Sequence, residues 1–144
     1  MRIRLHIAVL MLGLACGTTA SAQVAVIAHK DVPVDSLTKV EVLDFYTGDV
    51  LSWGGGLEVV VYDLQLKGMV KDAFYAFLGR SSSRMKSIWL KRKLAGEGDP
   101  PESFQTEEEL LQHVASTPGA IGFVHPSKVT DSVKVLVEID NGEG

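Results

Sequence analysis

The runs Val24-Ala25-Val26-Ile27-Ala28 and Ala120-Ile121-Gly122-Phe123-Val124 decide the fold. Each is a continuous apolar stretch, which is typical of a strand that is buried on both faces of a sheet. Segments with strand and helix patterns alternate between the two runs. This alternation predicts an α/β fold, in which helices flank a mostly parallel sheet. We expect one lobe, formed by residues 23–140.

Apolar periodicity, capping residues and glycine stops predict the other elements. Thr38 and Glu41 form a capping-box pattern, which recurs at Thr106. Residues 53–56 are expected to form a flexible break, and residues 96–103 an ordered loop. The predicted helices cover residues 38–47, 68–78, 82–94 and 106–116, and the remaining predicted strands cover residues 57–62 and 133–139.

The first 22 residues have the pattern of a secretory signal peptide. Arg2 and Arg4 precede a short apolar run at residues 7–15, and Ala20-Ser21-Ala22 supplies a small-residue cleavage pattern. The apolar run has about half the length that a membrane-spanning helix needs. We therefore expect cleavage before Gln23 and export to the periplasm.

Cleavage of the signal would also change the cysteine content and the net charge of the chain. Cys16 is the only cysteine, and its lipidation is the alternative to simple cleavage. If the signal is removed, the mature chain has no cysteine and therefore no disulfide. Losing Arg2 and Arg4 would leave 12 basic against 18 acidic residues, a net charge of −6, which argues against nucleic acid as a partner. Residues 141–144 are expected to be a flexible tail.

Three stretches occur together, in this order and spacing, in one known family. They are residues 24–27 followed by 36–38, then residues 46–53, and then residues 114–123. The chain resembles the PstS-like substrate-binding proteins of phosphate ABC transporters, and a short, single-lobe branch of that superfamily in particular. This resemblance implies one lobe of a type II periplasmic binding protein-like fold. It also implies a role in binding phosphate or another small anion.

In that family, the corresponding lobe holds phosphate through an arginine and a Ser-Gly-Thr sequence at a helix N-terminus. Free backbone amides and the positive end of the helix stabilise an anion there, and arginine adds a bidentate charge. Here Asp63 stands at the arginine position, and Lys67-Gly68-Met69 stands at the Ser-Gly-Thr position. Lys67 supplies a point charge without the planar fork of arginine. The resemblance therefore implies a weaker anion site at Lys67, Gly68 and Met69.

The carboxyl ends of strands form the usual binding edge of an open α/β sheet. This rule adds His29 and Lys30, which follow the first strand, to the candidate ligand-binding residues. Two of the candidates have a plainer interpretation. His29 fits an ordinary surface loop, and Lys67 fits a solvated lysine that pairs with Asp63.

Six lysines and arginines lie between residues 80 and 93. On a helix, Arg80, Arg84 and Lys91 lie near one face, which would suit an acidic protein or anionic headgroups. The alternative is an ordinary solvated helix face. An accessory or signalling module that contacts a membrane transporter or sensor is therefore the second functional hypothesis. A homodimer that completes the binding cleft is compatible with the first.

The sequence predicts neither an enzyme nor a cofactor. Together with several aspartates, Ser81-Ser82-Ser83, His113 and His125 supply the atoms of a catalytic triad, and the two histidines with acidic residues supply those of a metal site. They lack the spacing of a nucleophile elbow or a zinc-binding helix, and Ser82 is expected to cap a helix. We therefore predict no catalytic residue and no metal ligand.

Overall fold

A computed structural model describes residues 23–140 of the chain. The predicted signal peptide, Cys16 and the predicted tail at residues 141–144 lie outside the described residues and stay predictions.

Strands and helices alternate along the described part of the chain. The strands are β1 (Val24–Ala28), β2 (Ser52–Gly54), β3 (Leu57–Glu58), β4 (Val60–Leu64), β5 (Glu102–Phe104), β6 (Ala120–Val124) and β7 (Lys134–Ile139). The helices are α1 (Lys39–Thr47), α2 (Met69–Leu78), α3 (Ser82–Leu94) and α4 (Glu107–Ser116), and a single 3₁₀ turn, Pro126–Lys128, follows β6.

The central sheet has the strand order β5-β4-β6-β1-β7, and β2 pairs with β3 in a separate hairpin. β4 is parallel to both β5 and β6, whereas β1 is antiparallel to both β6 and β7. Four of the five strands therefore point the same way, and β1 runs against them. The predicted α/β fold with a mostly parallel, helix-flanked sheet is confirmed, with one antiparallel strand inside it.

Helices cover both faces of this sheet. On one face, Leu110 and Val114 of α4 occupy the space into which a side chain at Gly122 would point. On the other face, Phe123 stacks on Phe74 of α2 with a centroid separation of 3.9 Å. α1 packs on α2, and α3 packs on α1. All residues of β1 and β6 are buried, as their continuous apolar sequences predict.

The local signals that predicted the helices are present in the structure. Thr38 accepts a hydrogen bond from the Glu41 amide, and the Glu41 carboxylate accepts one from the Thr38 amide. Gly48 ends α1 with a φ of 76°, the left-handed conformation that glycine adopts easily. The cap of α3 is Ser81, whose hydroxyl accepts from the Arg84 amide, so the prediction that Ser82 is the cap is wrong.

The sequence prediction merges β3 with β4 and misses β5, because the pairing of these strands is not local. The strand predicted over residues 57–62 divides at Val59, whose amide donates to the Leu51 carbonyl at 3.0 Å. The first half joins the hairpin as β3, and the second half joins the central sheet as β4. β5 begins inside the predicted loop at residues 96–103 and pairs with β4.

The β2–β3 hairpin is anchored at Gly119. Residues 53–56, predicted to be a flexible break, belong to this hairpin, and Trp53 Nε1 donates to the Gly119 carbonyl at 2.8 Å. Gly119 has a φ of 78°, and a Cβ atom there would overlap the carbonyl oxygen of Glu58. Both the conformation and the close approach therefore require glycine at this position.

We predict that Gly119→Ala destabilises the fold more than Gly79→Ala does. Gly79 has a similar φ of 70°, but a Cβ atom there would have no neighbour within 4 Å, so alanine adds only a backbone cost of about 1 kcal/mol. Gly119→Ala adds the overlap with Glu58, and we expect a total loss of at least about 2 kcal/mol. Urea unfolding of both variants measures the difference, and equal losses would contradict the close contact.

Candidate functional site

β4 and β5 end at the same edge of the sheet, and α2 and α4 begin there. Leu64 at the end of β4 is in register with Phe104 at the end of β5, and the Gln65 amide donates to the Phe104 carbonyl at 2.8 Å. The helices begin a few residues later, α2 at Met69 and α4 at Glu107. A cavity of about 450 Å³, the helix-end cavity, is lined by both helix N-termini.

α2 contributes an uncapped N-terminus to the helix-end cavity. Gly68 is its N-cap residue and provides no side-chain hydrogen bond. The first amides of a helix have no intrahelical acceptor, so the N–H groups of Met69, Val70 and Lys71 remain for other acceptors. Lys67 is exposed on the same wall. The structure therefore brings together three sequence-predicted site residues, Lys67, Gly68 and Met69.

α4 contributes negative charge to the lining of the same cavity. Glu107 and Glu108 line the cavity, and the Glu107 carboxylate accepts from the backbone amide of His125. Lys128 donates to the Glu108 carboxylate, and this hydrogen bond lowers the pKa of Glu108 and raises that of Lys128. An anion in the helix-end cavity would therefore meet both positive and negative groups.

Asp63, at the position that the resemblance assigns to an arginine, is compensated inside the lobe. The Tyr75 hydroxyl donates to Asp63 Oδ2 at 2.5 Å, and Lys71 Nζ lies 3.8 Å from the same oxygen. The ammonium of Lys71 also donates to the Leu64 carbonyl. The side chains of Asp63 and Lys71 are each only 13% exposed. The predicted surface pairing of Asp63 with Lys67 is therefore wrong, because Lys71 and Tyr75 take that role.

Two buried tyrosines remain protonated donors at neutral pH. Burial, followed by the charge of Asp63 and its hydrogen bond, raises the pKa of Tyr75 above its usual value of about 10. Burial is also the main cause that raises the pKa of Tyr46. The Tyr46 hydroxyl donates to the Tyr62 carbonyl at 2.9 Å. Both hydroxyls thus connect the helices to β4.

His29 and Lys30 lie at the opposite end of the sheet, where β6 begins and not where β4 and β5 end. The His29 amide donates to the carbonyl of Ala120, where β6 begins, because β1 runs against β6. His29 Nδ1 accepts from the Asp31 amide at 3.0 Å, which stabilises the turn after β1. The structure therefore does not bring His29 and Lys30 together with Lys67. They are selected by the rule that ligands bind at the carboxyl ends of strands. That rule fails here because it assumes that all the strands run in the same direction.

Part of the predicted basic face lines a second concavity, of about 490 Å³, on α3. Arg84 and Lys91 line it with Ile88 and Arg92. Arg92 is already bound to two carboxylates, whereas Arg84 and Lys91 are exposed and form no ion pair within residues 23–140. Arg80 precedes the helix and is not among the lining residues. The structure thus groups two of the three predicted face residues.

The residues considered for catalysis have structural contacts. Ser81 caps α3, the ring of His113 stacks on Phe104 at 4.3 Å, and His125 Nδ1 accepts from the Ser127 amide. In the part of the chain that the structure describes, no group of three or more histidine, cysteine and acidic side chains could hold a metal ion. None of the described helices has the length and apolar character needed to cross a bilayer.

The same fold occurs in solved structures of phosphate-transport binding proteins. A phosphate ABC transporter substrate-binding protein from Clostridium perfringens, solved with bound phosphate, is 26% identical over 81% of this chain, with a TM-score of 0.67. An ABC-type phosphate transport receptor from Vibrio cholerae is 18% identical over 81% of the chain, with a TM-score of 0.65. PstS from Borrelia burgdorferi is 10% identical over 82% of the chain, with a TM-score of 0.60.

The match covers only part of each of these proteins. The chain spans 45%, 46% and 48% of their lengths, respectively. No protein-family model matches the sequence, and no curated protein matches it at a significant level. The predicted resemblance is confirmed at the level of structure, because the chain has the fold of one lobe of the PstS-type binding proteins.

We predict that Tyr75→Phe makes stability less sensitive to alkaline pH. The pKa of Tyr75 is raised in the folded state, so above about pH 10 the unfolded chain releases a proton that the folded chain retains. This linkage lowers the free energy of unfolding by up to about 1.4 kcal/mol per pH unit, and phenylalanine removes it. Urea unfolding between pH 9 and 11 should give a shallower decline for the variant, and identical slopes would contradict the buried Tyr75–Asp63 contact.

Proposed function

We propose that this chain is a non-catalytic binding lobe of the PstS type that holds a small oxyanion, such as phosphate, in the helix-end cavity. The proposal depends on one observation: the uncapped N-terminus of α2 lines this cavity beside Lys67. Free amides and the positive end of a helix attract anions. A protein with the same fold was solved with phosphate bound. We further propose that the chain is exported to the periplasm and passes its ligand to a membrane transporter.

The charges around the cavity predict weak binding. Lys67 and the α2 amides attract an anion, whereas Glu107 repels it and Met69 offers no strong donor. Glu108 is already paired with Lys128. One lysine also lacks the two parallel hydrogen bonds of an arginine. We expect a dissociation constant on the order of 1 mM for the isolated lobe. A second copy facing this edge would add donors and raise the affinity.

Binding of a partner protein is the second candidate function. Leu66 and Met69 are 65% and 83% exposed at the helix-end cavity. Exposed apolar side chains that lie together are a usual feature of protein contact surfaces. Arg84 and Lys91 add an exposed basic face. These features would suit an accessory or signalling module that contacts a membrane transporter or sensor.

We predict that Lys67→Ala weakens phosphate binding about three- to ten-fold, because it removes the exposed cation nearest the α2 amides. Isothermal titration at fixed ionic strength measures the affinity. Lys30→Ala is the matched control, since it removes the same charge at the opposite edge of the sheet and should leave the affinity unchanged. Met69→Thr should strengthen binding by adding a hydroxyl donor.

Two results of this titration would contradict the proposal. Absence of heat with millimolar phosphate, sulfate and other oxyanions would remove the anion-binding function. A loss of affinity in Lys30→Ala but not in Lys67→Ala would move the site to the other edge of the sheet.

We predict that the partner-binding function, if it uses the basic face, is lost in the double variant Arg84→Glu/Lys91→Glu. The control variant Lys30→Glu/Lys39→Glu has the same net charge but leaves that face intact. Pull-downs from envelope extract should then recover a partner with the wild type and the control only. Equal recovery with all three proteins would exclude the basic face as the contact surface.

A further inference from the structure

A third cavity, of about 310 Å³, lies between α2, α3 and the segment that leads into β5. We name it the proline cavity, because Pro100 and Pro101 form one of its walls. Its volume is at the lower end of the range of small-molecule sites, which is roughly 300–1,000 Å³. Neither the helix-end cavity nor the basic face accounts for it.

The walls of the proline cavity are mainly apolar. Met85, Trp89 and Leu90 of α3 line it together with the two prolines. Met85 is buried, whereas Leu90 is 58% exposed and marks the open side. Trp89 is held in place because its Nε1 donates to the Tyr46 carbonyl at 2.9 Å. The aromatic wall is therefore fixed before any ligand enters.

The charged groups of the proline cavity lie in two different environments. Asp63 and Lys71, with Tyr75, are already bonded to one another and are largely buried. Lys86 and Lys93, in contrast, are exposed residues of α3. Lys86 forms no ion pair within residues 23–140, and Lys93 pairs with the exposed Asp99 at 3.8 Å. The cavity thus has an internally compensated polar group and an exposed side with one unpaired lysine, Lys86.

This arrangement determines the chemistry of the ligand that fits. An apolar body would displace water from Trp89, Leu90 and the prolines, which is favourable. An anionic head would be attracted by the exposed Lys86 and Lys93, whereas Lys71 is already paired with Asp63, so the head belongs at the exposed side. A compact dianion such as phosphate would leave the apolar walls wet.

We propose that the proline cavity binds a small amphipathic monoanion, with its apolar body against Trp89 and Pro100-Pro101 and its carboxylate at Lys86 and Lys93. Lys71 lines both this cavity and the helix-end cavity, but the residues proposed to hold the two ligands differ. The proline cavity gives the lobe a second ligand class, organic carboxylates with an apolar chain.

The test is a titration of the ¹⁵N-labelled chain with sodium octanoate, followed by NMR. The sequence has two tryptophans, so Trp53→Phe identifies the indole N–H signal of Trp89. Millimolar octanoate should shift the Trp89 signal and leave that of Trp53 in place. Acetate, which lacks the chain, and octylammonium, which has the opposite charge, should shift neither signal at the same concentration.

Two exposed leucines of α3 provide a matched pair of variants. Leu90 lines the cavity, whereas Leu94, one turn further on and 80% exposed, does not. Leu90→Glu should weaken octanoate binding at least about ten-fold, because it places a carboxylate against the apolar body, and Leu94→Glu should change it less than about two-fold. Both variants carry the same net charge. Because both leucines are exposed, both variants should fold, and the dispersion of the NMR signals checks this for each variant.

Two outcomes would overturn the proposal. One is no shift of the Trp89 signal with millimolar octanoate. The other is equal affinity in Leu90→Glu and Leu94→Glu, which would place the bound chain elsewhere on the surface.

Discussion

The lobe depends on how tightly β6 is enclosed by its neighbours. β6 is fully buried, pairs with β4 on one side and with β1 on the other, and contacts helices on both faces. Gly122 lets α4 approach one face, while the Phe123 ring stacks on Phe74 at the other. Gly119 lets the hairpin approach where the strand begins. Because β6 fixes β4, it also fixes the start of α2 and hence the helix-end cavity.

Charge compensation inside the lobe separates this chain from a conventional phosphate receptor of the family it resembles. The resemblance assigns an arginine to position 63, whereas here Asp63 pairs with Lys71 and accepts a hydrogen bond from Tyr75. Lys71 is therefore already paired with Asp63 inside the lobe. In the proposed anion site, the positive groups are therefore the start of α2 and Lys67. In the proline cavity, the same internal pairing leaves Lys86 and Lys93 of α3 as the exposed cations, of which Lys93 pairs with the exposed Asp99.

The sequence predicts those features that short-range physics determines. The cap of α1 at Thr38 and its end at Gly48 follow from groups within one or two helical turns, and the structure contains both. The apolar runs of β1 and β6 identify central strands because only burial on both faces explains them. The position of Lys67, Gly68 and Met69 at the start of α2 follows from the order of the local elements alone, a strand, a turn and then a helix.

Long-range pairing explains what the sequence does not predict. The three residues of β5 have no strand pattern of their own and become a strand because β4 offers a free edge. The partners of Asp63 lie in α2, and Tyr75 is 12 positions away, so only the crossing of strand and helix brings them together. The direction of β1, which separates His29 from Lys67, is likewise set by its pairing with β6 and β7. The proline cavity joins three distant segments for the same reason.

The location of the anion is the central claim, and mapping phosphate binding by amide NMR tests it most directly. We expect that, in the chain from Gln23 onward, phosphate shifts the backbone amide signals of Met69, Val70 and Lys71 in a saturable way. Sodium chloride at equal ionic strength should not reproduce these shifts. Signals of His29 and Lys30 at the opposite edge should stay in place. Saturable shifts at His29 and Lys30 with none at the start of α2 would contradict this location.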